Sequence, residues 1–250
     1  MPYEKTEAVV LRSIRLREAD RVVHLYTAQH GRIGAVVKGV RRTRSRFGGR
    51  LEPFFRVRLV LYEGRSELYT VTQAETVESY PRLRERGASL SAASSACESV
   101  LRMFGDGEAN AAAYNLLCRE LQLLDEEAAA ASTGNLLAFR LKLLLAAGFV
   151  PELGVCAACG AAPDRFGMSF SPPAGGAVCQ DCMSADDFPL SEVARSFMVV
   201  ALGAPLRDAP AADAAALGQV DRVVGSTLEH HAHVRLRSVK DQLRPLAFVK

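Results

Sequence analysis

Residues 54–62 read FFRVRLVLY. Strict alternation over such a run is the signature of a half-buried strand, because successive side chains point to opposite faces. Phe55, Val57, Leu59 and Leu61 form one face; Phe54, Arg56, Arg58, Val60 and Tyr62 form the other. Working outward, four more runs have strand composition: TEAVVLRSIRL, RVVHLYT, RIGAVVKG and SELYTVTQA. The breaks EAD, QHG and EGR and a long Arg/Gly connection separate them. Five short strands within residues 1–80 predict a small closed barrel, and the OB-fold is the five-stranded barrel that suits this spacing.

The connection before FFRVRLVLY carries charge. From Arg32 to Arg50 the chain holds Arg32, Lys38, Arg41, Arg42, Arg44, Arg46 and Arg50, with no acid among them. Residues 1–80 hold 15 Lys/Arg and 9 Asp/Glu, giving +6, while the whole chain of 250 residues has a net charge of only +3. A cationic cluster of this kind is the footprint of a polyanion partner. Arg56 and Arg58 extend it onto a strand face that also carries aromatics, as a stacking and phosphate-binding surface for nucleic acid requires. The competing reading is a solvated loop and strand face whose charge serves solubility.

Pro81 closes the β region, and from Ser89 the pattern turns helical. SLSAASSACESVLRMF, NAAAYNLLCRELQLL and NLLAFRLKLLLAAG are Ala/Leu-rich with apolar residues three and four apart. Ser132, Thr133 or Asn135 is expected to cap the third helix, and Gly148 to end it. Two more helical stretches, PLSEVARSFMVVALG and AADAAALGQVDRVVGSTLEHHA, lie near the C-terminus, followed by RSVKDQLRPL.

Between these helices lie Cys156 and Cys159, then Cys179 and Cys182. C-x₂-C-x₁₉-C-x₂-C has structural-zinc spacing. Each knuckle offers two thiolates, and two knuckles close a tetrahedron with no open position for substrate. One structural Zn²⁺ per chain is therefore expected, with two disulfides or free core thiols as the alternatives. The segment is rich in Pro and Gly, too small to bury a core of its own, and expected to be loop-like until metal folds it. Cys97 and Cys118 sit on apolar helical faces and read as core. His230, His231 and His233 read as helix-end residues. The resulting expectation is an α+β multidomain chain: an OB-like barrel at 1–80, then a helical domain at 81–250 interrupted by a zinc-binding segment at 151–187.

Several function classes find no support. The sequence has no phosphate-binding G-x-x-x-x-G-K-[ST] loop, no H-E-x-x-H and no G-x-S-x-G. It has no uncharged apolar run of membrane-spanning length and no signal-peptide pattern at MPYEKTEAVVLRS. A reducing cytoplasmic compartment is expected, where paired cysteines favour metal over disulfide.

Glu18–Ala19–Asp20, Leu25–Tyr26–Thr27, His30–Gly31, Lys38–Gly39–Val40–Arg41–Arg42 and the Leu51–Glu52–Pro53–Phe54 step together resemble the bacterial RecO family of DNA repair and recombination proteins. The order of barrel, helices, four-cysteine segment and further helices is also similar, over essentially the whole chain. The resemblance implies an N-terminal OB-fold, binding of single- and double-stranded DNA, and annealing of complementary strands. It also implies a mediator role with RecR and single-strand binding protein that loads recombinase onto DNA in the nucleoid. Two other functions remain open on the residues alone. A zinc-containing nucleic-acid-processing enzyme would need acidic metal ligands converging in one cleft. An RNA-binding protein would share the same charge pattern.

Overall fold

The computed structural model describes residues 3–16, 18–40, 47, 49–64, 67–162 and 168–239. The chain divides into two compact units, 1–128 and 129–250. The first opens with β1 (Tyr3–Arg15), β2 (Arg21–Thr27), β3 (Gly31–Val37), β4 (Arg56–Tyr62) and β5 (Tyr69–Glu78). They close a barrel in the order β1-β2-β3-β5-β4, antiparallel except where β3 meets β5. This is the OB-like barrel expected from the strand runs. Alternation fills its interior: Val23 and Leu25 of β2, Ile33, Ala35 and Val37 of β3, and Val57, Leu59 and Leu61 of β4 are all buried. Each Val, Leu or Ile among them contributes about 1.5–3 kcal/mol when taken from water. Phe54 departs from the expected outward face. It precedes β4, has φ 76° and is buried, so the exposed face of that strand starts at Arg56.

Pro81 does more than end the sheet. It occupies the first turn of a short helix, α1 (Pro81–Glu85), where its missing N–H costs nothing. α2 (Gly87–Met103) and α3 (Ala111–Glu126) follow within the same unit as the barrel. Asn110 caps α3 by accepting from the Ala113 amide. The loop between α2 and α3 closes against the β2–β3 turn. Gly31, at φ 58°, has no room for a Cβ, which would lie 1.9 Å from the Glu108 carbonyl oxygen.

The second unit contains α4 (Thr133–Ala147), α5 (Glu192–Gly203) and α6 (Ala214–Thr227). Ser132, Ser191 and Asp213 cap them through their side-chain oxygens, and Gly148 at φ 81° ends α4. The intervening segment is not merely loop. It forms a three-stranded antiparallel sheet of β6 (Met168–Ser171), β7 (Gly176–Val178) and β8 (Phe188–Leu190) in the order β7-β6-β8. Pro189 and Leu190, which composition assigns to the following helix, belong to β8. His230 and His231 lie in a single π-turn after α6, and His231 Nε2 is 2.8 Å from the Pro172 carbonyl oxygen at the β6–β7 turn. Among the described residues no helix is long and apolar enough to cross a membrane.

Candidate nucleic-acid interface and metal centre

The basic connection between β3 and β4 is fastened to the barrel at both ends. At its start Lys38 is exposed, and Gly39 turns the chain at φ 66°. The Gly39 amide donates to Asp20 Oδ1 at 2.8 Å. At its far end Phe47 and Leu51 are buried in the barrel core. Arg50 N–H donates to the Phe47 carbonyl at 3.1 Å, Arg21 pairs with Glu52 at 3.0 Å, and Arg84 donates to the Pro53 carbonyl at 2.9 Å. Arg41, Arg42, Arg44 and Arg46 lie outside the described residues. They fall between two anchors, so the span that carries them begins and ends on the barrel wall.

The other cations singled out in the sequence have partners. Arg32 donates to Asp106 Oδ1 at 2.6 Å and to the Leu101 carbonyl, tying the barrel to the end of α2 and the loop after it. Arg56 and Arg58 share Glu7, at 2.8 and 2.9 Å, and Arg58 also reaches Glu75 at 3.1 Å. Hydrogen bonding by Arg56 holds the Glu7 carboxyl below the ordinary carboxylate range, and Arg32 does the same for Asp106. The charge on this part of β4 is thus largely matched within the barrel. Arg50 Nη1 lies 3.4 Å from the Phe47 carbonyl. Arg12 and Arg15, which the sequence reading passed over, are exposed on β1. Arg12 stands opposite His24 across the β1–β2 pair, and burial first, then Arg12 and Arg32, holds that imidazole below its usual range. A register shift between Val10 and Arg12 sets this facing, and no run-level pattern announces it.

The four cysteines converge. Their sulfur atoms all lie within 4.8 Å of one another. Residues at and just before the first knuckle pair with β7 and the residue before that strand, just ahead of the second knuckle: the Glu152 amide donates to the Gly175 carbonyl, the Ala177 amide to that of Glu152 and the Ala157 amide to that of Ala177. Within the knuckles Gly160 N–H returns to the Cys156 carbonyl at 2.8 Å, and Cys182 N–H to that of Cys179 at 3.1 Å. Cys159 Sγ and Cys179 Sγ are 3.9 Å apart, and all four are free. A disulfide would need about 2.05 Å. A tetrahedron with metal–sulfur bonds of about 2.3 Å has edges of about 3.8 Å, so the set fits a four-coordinate ion. Backbone amides, first that of Cys179, pull the Cys156 thiol down to about 6, while hydrogen bonding with Cys159 pushes Cys182 up to about 12. Four neighbouring sulfurs hold four negative charges only with a cation among them, which is the condition a bound metal supplies. Among the described residues this is the one group of three or more His, Cys, Asp or Glu side chains placed to share an ion.

Comparison with known proteins agrees with this architecture. The family model described as "Recombination protein O N terminal" matches residues 1–80, and that described as "Recombination protein O C terminal" matches residues 84–240. A protein of Rubrobacter xylanophilus named DNA repair protein RecO is 42% identical over 195 residues, covering 76% of this chain and 77% of its own. Proteins of the same name from Bifidobacterium adolescentis and Desulforudis audaxviator are 44% and 37% identical over 198 and 203 residues. They cover 77% and 81% of this chain, and 77% and 79% of their own. On these matches, over nearly the whole chain, it belongs to the recombination protein O family of DNA repair and recombination proteins.

Proposed function

We propose that this chain is a DNA-binding recombination mediator that binds single- and double-stranded DNA, anneals complementary strands and, with RecR and single-strand binding protein, helps load recombinase. The observation that carries the reading is the basic span between Lys38 and Arg50, anchored at Asp20 on one side and by Phe47 in the barrel core on the other. Several cations close together in the chain can meet a phosphate backbone together. Lys38, Arg41, Arg42, Arg44, Arg46 and Arg50 are the principal contacts in this reading. Arg32, Arg56 and Arg58 contribute less, because acids already oppose them. Residues 1–80 supply the nucleic-acid surface and 81–250 the helical body, with the metal segment at 151–187. Annealing needs screened phosphates and accessible bases and no nucleophile, so the chain acts without a catalytic site of its own, in the cytoplasm on nucleoid DNA.

The metal in this reading is one Zn²⁺ held by Cys156, Cys159, Cys179 and Cys182. It cross-links two short knuckles and supplies folding free energy to a small segment. The function is tested by titrating the protein with single-stranded DNA, duplex DNA and RNA at several salt concentrations, then following annealing of complementary strands without nucleotide. Salt-dependent binding with nucleotide-independent annealing is expected. DNA cleavage would favour the enzyme reading, and marked preference for RNA the RNA-binding one.

A further inference from the structure

Tyr3 and Tyr62 face each other across the β1–β4 pair, with ring centroids 5.2 Å apart and planes tilted by 55°. Both are exposed, at 59% and 38%. Neither is needed inside the barrel, whose interior is filled by the alternate residues of the same strands. Large aromatic surface left in water at one spot calls for a partner with a flat apolar face.

Register says where the pair sits. Val36 of β3 is opposite Thr70 of β5, Thr70 is opposite Tyr62 of β4, and Tyr62 is opposite Tyr3 of β1. These four residues make one row across the outside of the barrel. Val36 lies two residues before Lys38, where the basic connection begins. Across the sheet, Tyr62 therefore lies two strand spacings from Val36, about 10 Å, and Tyr3 three, about 14 Å. Lys5, exposed and two residues along β1 from Tyr3, adds a cation beside the rings. On the other side the exposed Glu63 disfavours phosphate. The chemistry is directional: backbone toward Lys38 and Lys5, bases over the rings.

We infer that Tyr3 and Tyr62 form a stacking platform for unpaired bases of a DNA strand whose phosphates run past Lys5 and Lys38. The inference rests on the nucleic-acid reading above and adds to it a source of preference for unpaired bases. Duplex DNA offers phosphates but keeps its base faces stacked internally, so it gains nothing from the platform.

The test uses the full-length protein and compares Tyr3→Ala/Tyr62→Ala with Tyr3→Phe/Tyr62→Phe. Affinities are measured for a mixed-sequence single strand, an abasic strand of equal length and a duplex. The alanine pair should lose about tenfold or more for the mixed-sequence strand, and the phenylalanine pair should keep parent affinity. Abasic and duplex affinities, and the salt dependence, should not change, because no phosphate contact is removed. The chain has no tryptophan, so Tyr62→Trp introduces a single indole whose emission should be quenched by the mixed-sequence strand and not by the abasic one. Unchanged single-strand affinity in the alanine pair, or equal losses on all three ligands, would overturn the platform while leaving nucleic-acid binding intact. A parent protein that binds none of the three would overturn the nucleic-acid reading and the platform with it.

Discussion

The Gly39 amide donates to Asp20 Oδ1 across 2.8 Å, and this bond joins the β1–β2 turn to the first residues of the basic connection. An acid at the root of a cationic span has two opposed effects. Its charge weakens a polyanion's attraction to the span. Its hydrogen bond fixes where the span departs, with Gly39 held at a φ of 66°.

The two effects can be separated at Asp20. Asp20→Asn keeps an acceptor and removes the charge, so DNA affinity should stay level or rise. Asp20→Ala removes both. If anchoring dominates, affinity should fall by about tenfold, the equivalent of roughly 1.5 kcal/mol for a hydrogen bond to a charged group. Titrations of both variants in one buffer decide it; tighter binding by the alanine variant would show that only charge matters there.

Glu7 offers a complementary gain of charge. It bridges Arg56 and Arg58 at 2.8 and 2.9 Å. Glu7→Gln should leave both arginines with less opposition and cost only about 0.2–1 kcal/mol of stability, as partly exposed pairs do. DNA affinity at low salt should rise, and the log–log salt slope should steepen by about 0.7 for each phosphate newly met by a single strand. A slope equal to the parent's would place the β4 arginines outside the interface. The parent's Glu7 carboxyl is held below its ordinary value of 4.5. The pair's stabilising contribution is therefore complete above that value and fades as pH falls through the lowered one.

Arg140 is 1% exposed and lies 3.4 Å from Asp221. Its Nη1 also donates to the Arg237 carbonyl at 3.1 Å, while Asp221 Oδ2 accepts from Ser238 Oγ and the Val239 amide. Together they fix residues 237–239 to the helical unit. Asp221→Ala removes the acceptor shared by Arg140, Ser238 Oγ and the Val239 amide, at a cost of about 1–3 kcal/mol. The melting transition should move down by several degrees or more, with DNA affinity at low temperature little changed. A melting temperature within error of the parent's would show the pair to be dispensable.

The barrel was legible because its strands alternate, and alternation reads directly from residue order. Phe47 and Leu51 were not, since they sit in a cationic stretch with no period, and only the closed barrel reveals the gap they fill. The partners of Arg56 and Arg58 were hidden for another reason. Glu7 lies about fifty positions earlier in the chain, and it meets them only through the β1–β4 register. Spacing brought the four cysteines to notice, but not the sheet around them. β7 and β8 have three residues each and β6 has four, too few to show a period among prolines and glycines. Likewise, nothing local says that α1–α3 fall in one compact unit with the barrel.

Metal and DNA surfaces should be separable by mutation. Replacing Arg41, Arg42, Arg44 and Arg46 with glutamate turns four cations into anions on a span anchored outside itself, at Asp20 and Phe47. Folding should survive in this reading, which puts the four arginines in solvent, where substitutions usually cost within about 0.5 kcal/mol each. DNA affinity should fall by orders of magnitude. If about five phosphates are neutralised in the parent, its log–log slope is about −3.5 for single strands and about −4.5 for duplex, and the variant's should approach zero. Cys156→Ser/Cys159→Ser should behave in the opposite way. It removes one knuckle from a segment whose two halves are otherwise joined by few backbone bonds, so metal content by elemental analysis should drop from near one zinc per chain and the melting temperature should fall. A chelator strong enough to strip the parent should reproduce that loss of stability. Any weakening of DNA binding in the cysteine variant should track the fraction unfolded. If the arginine variant unfolds while the cysteine variant keeps its melting temperature and loses DNA outright, the roles are exchanged and the knuckles themselves are the nucleic-acid surface.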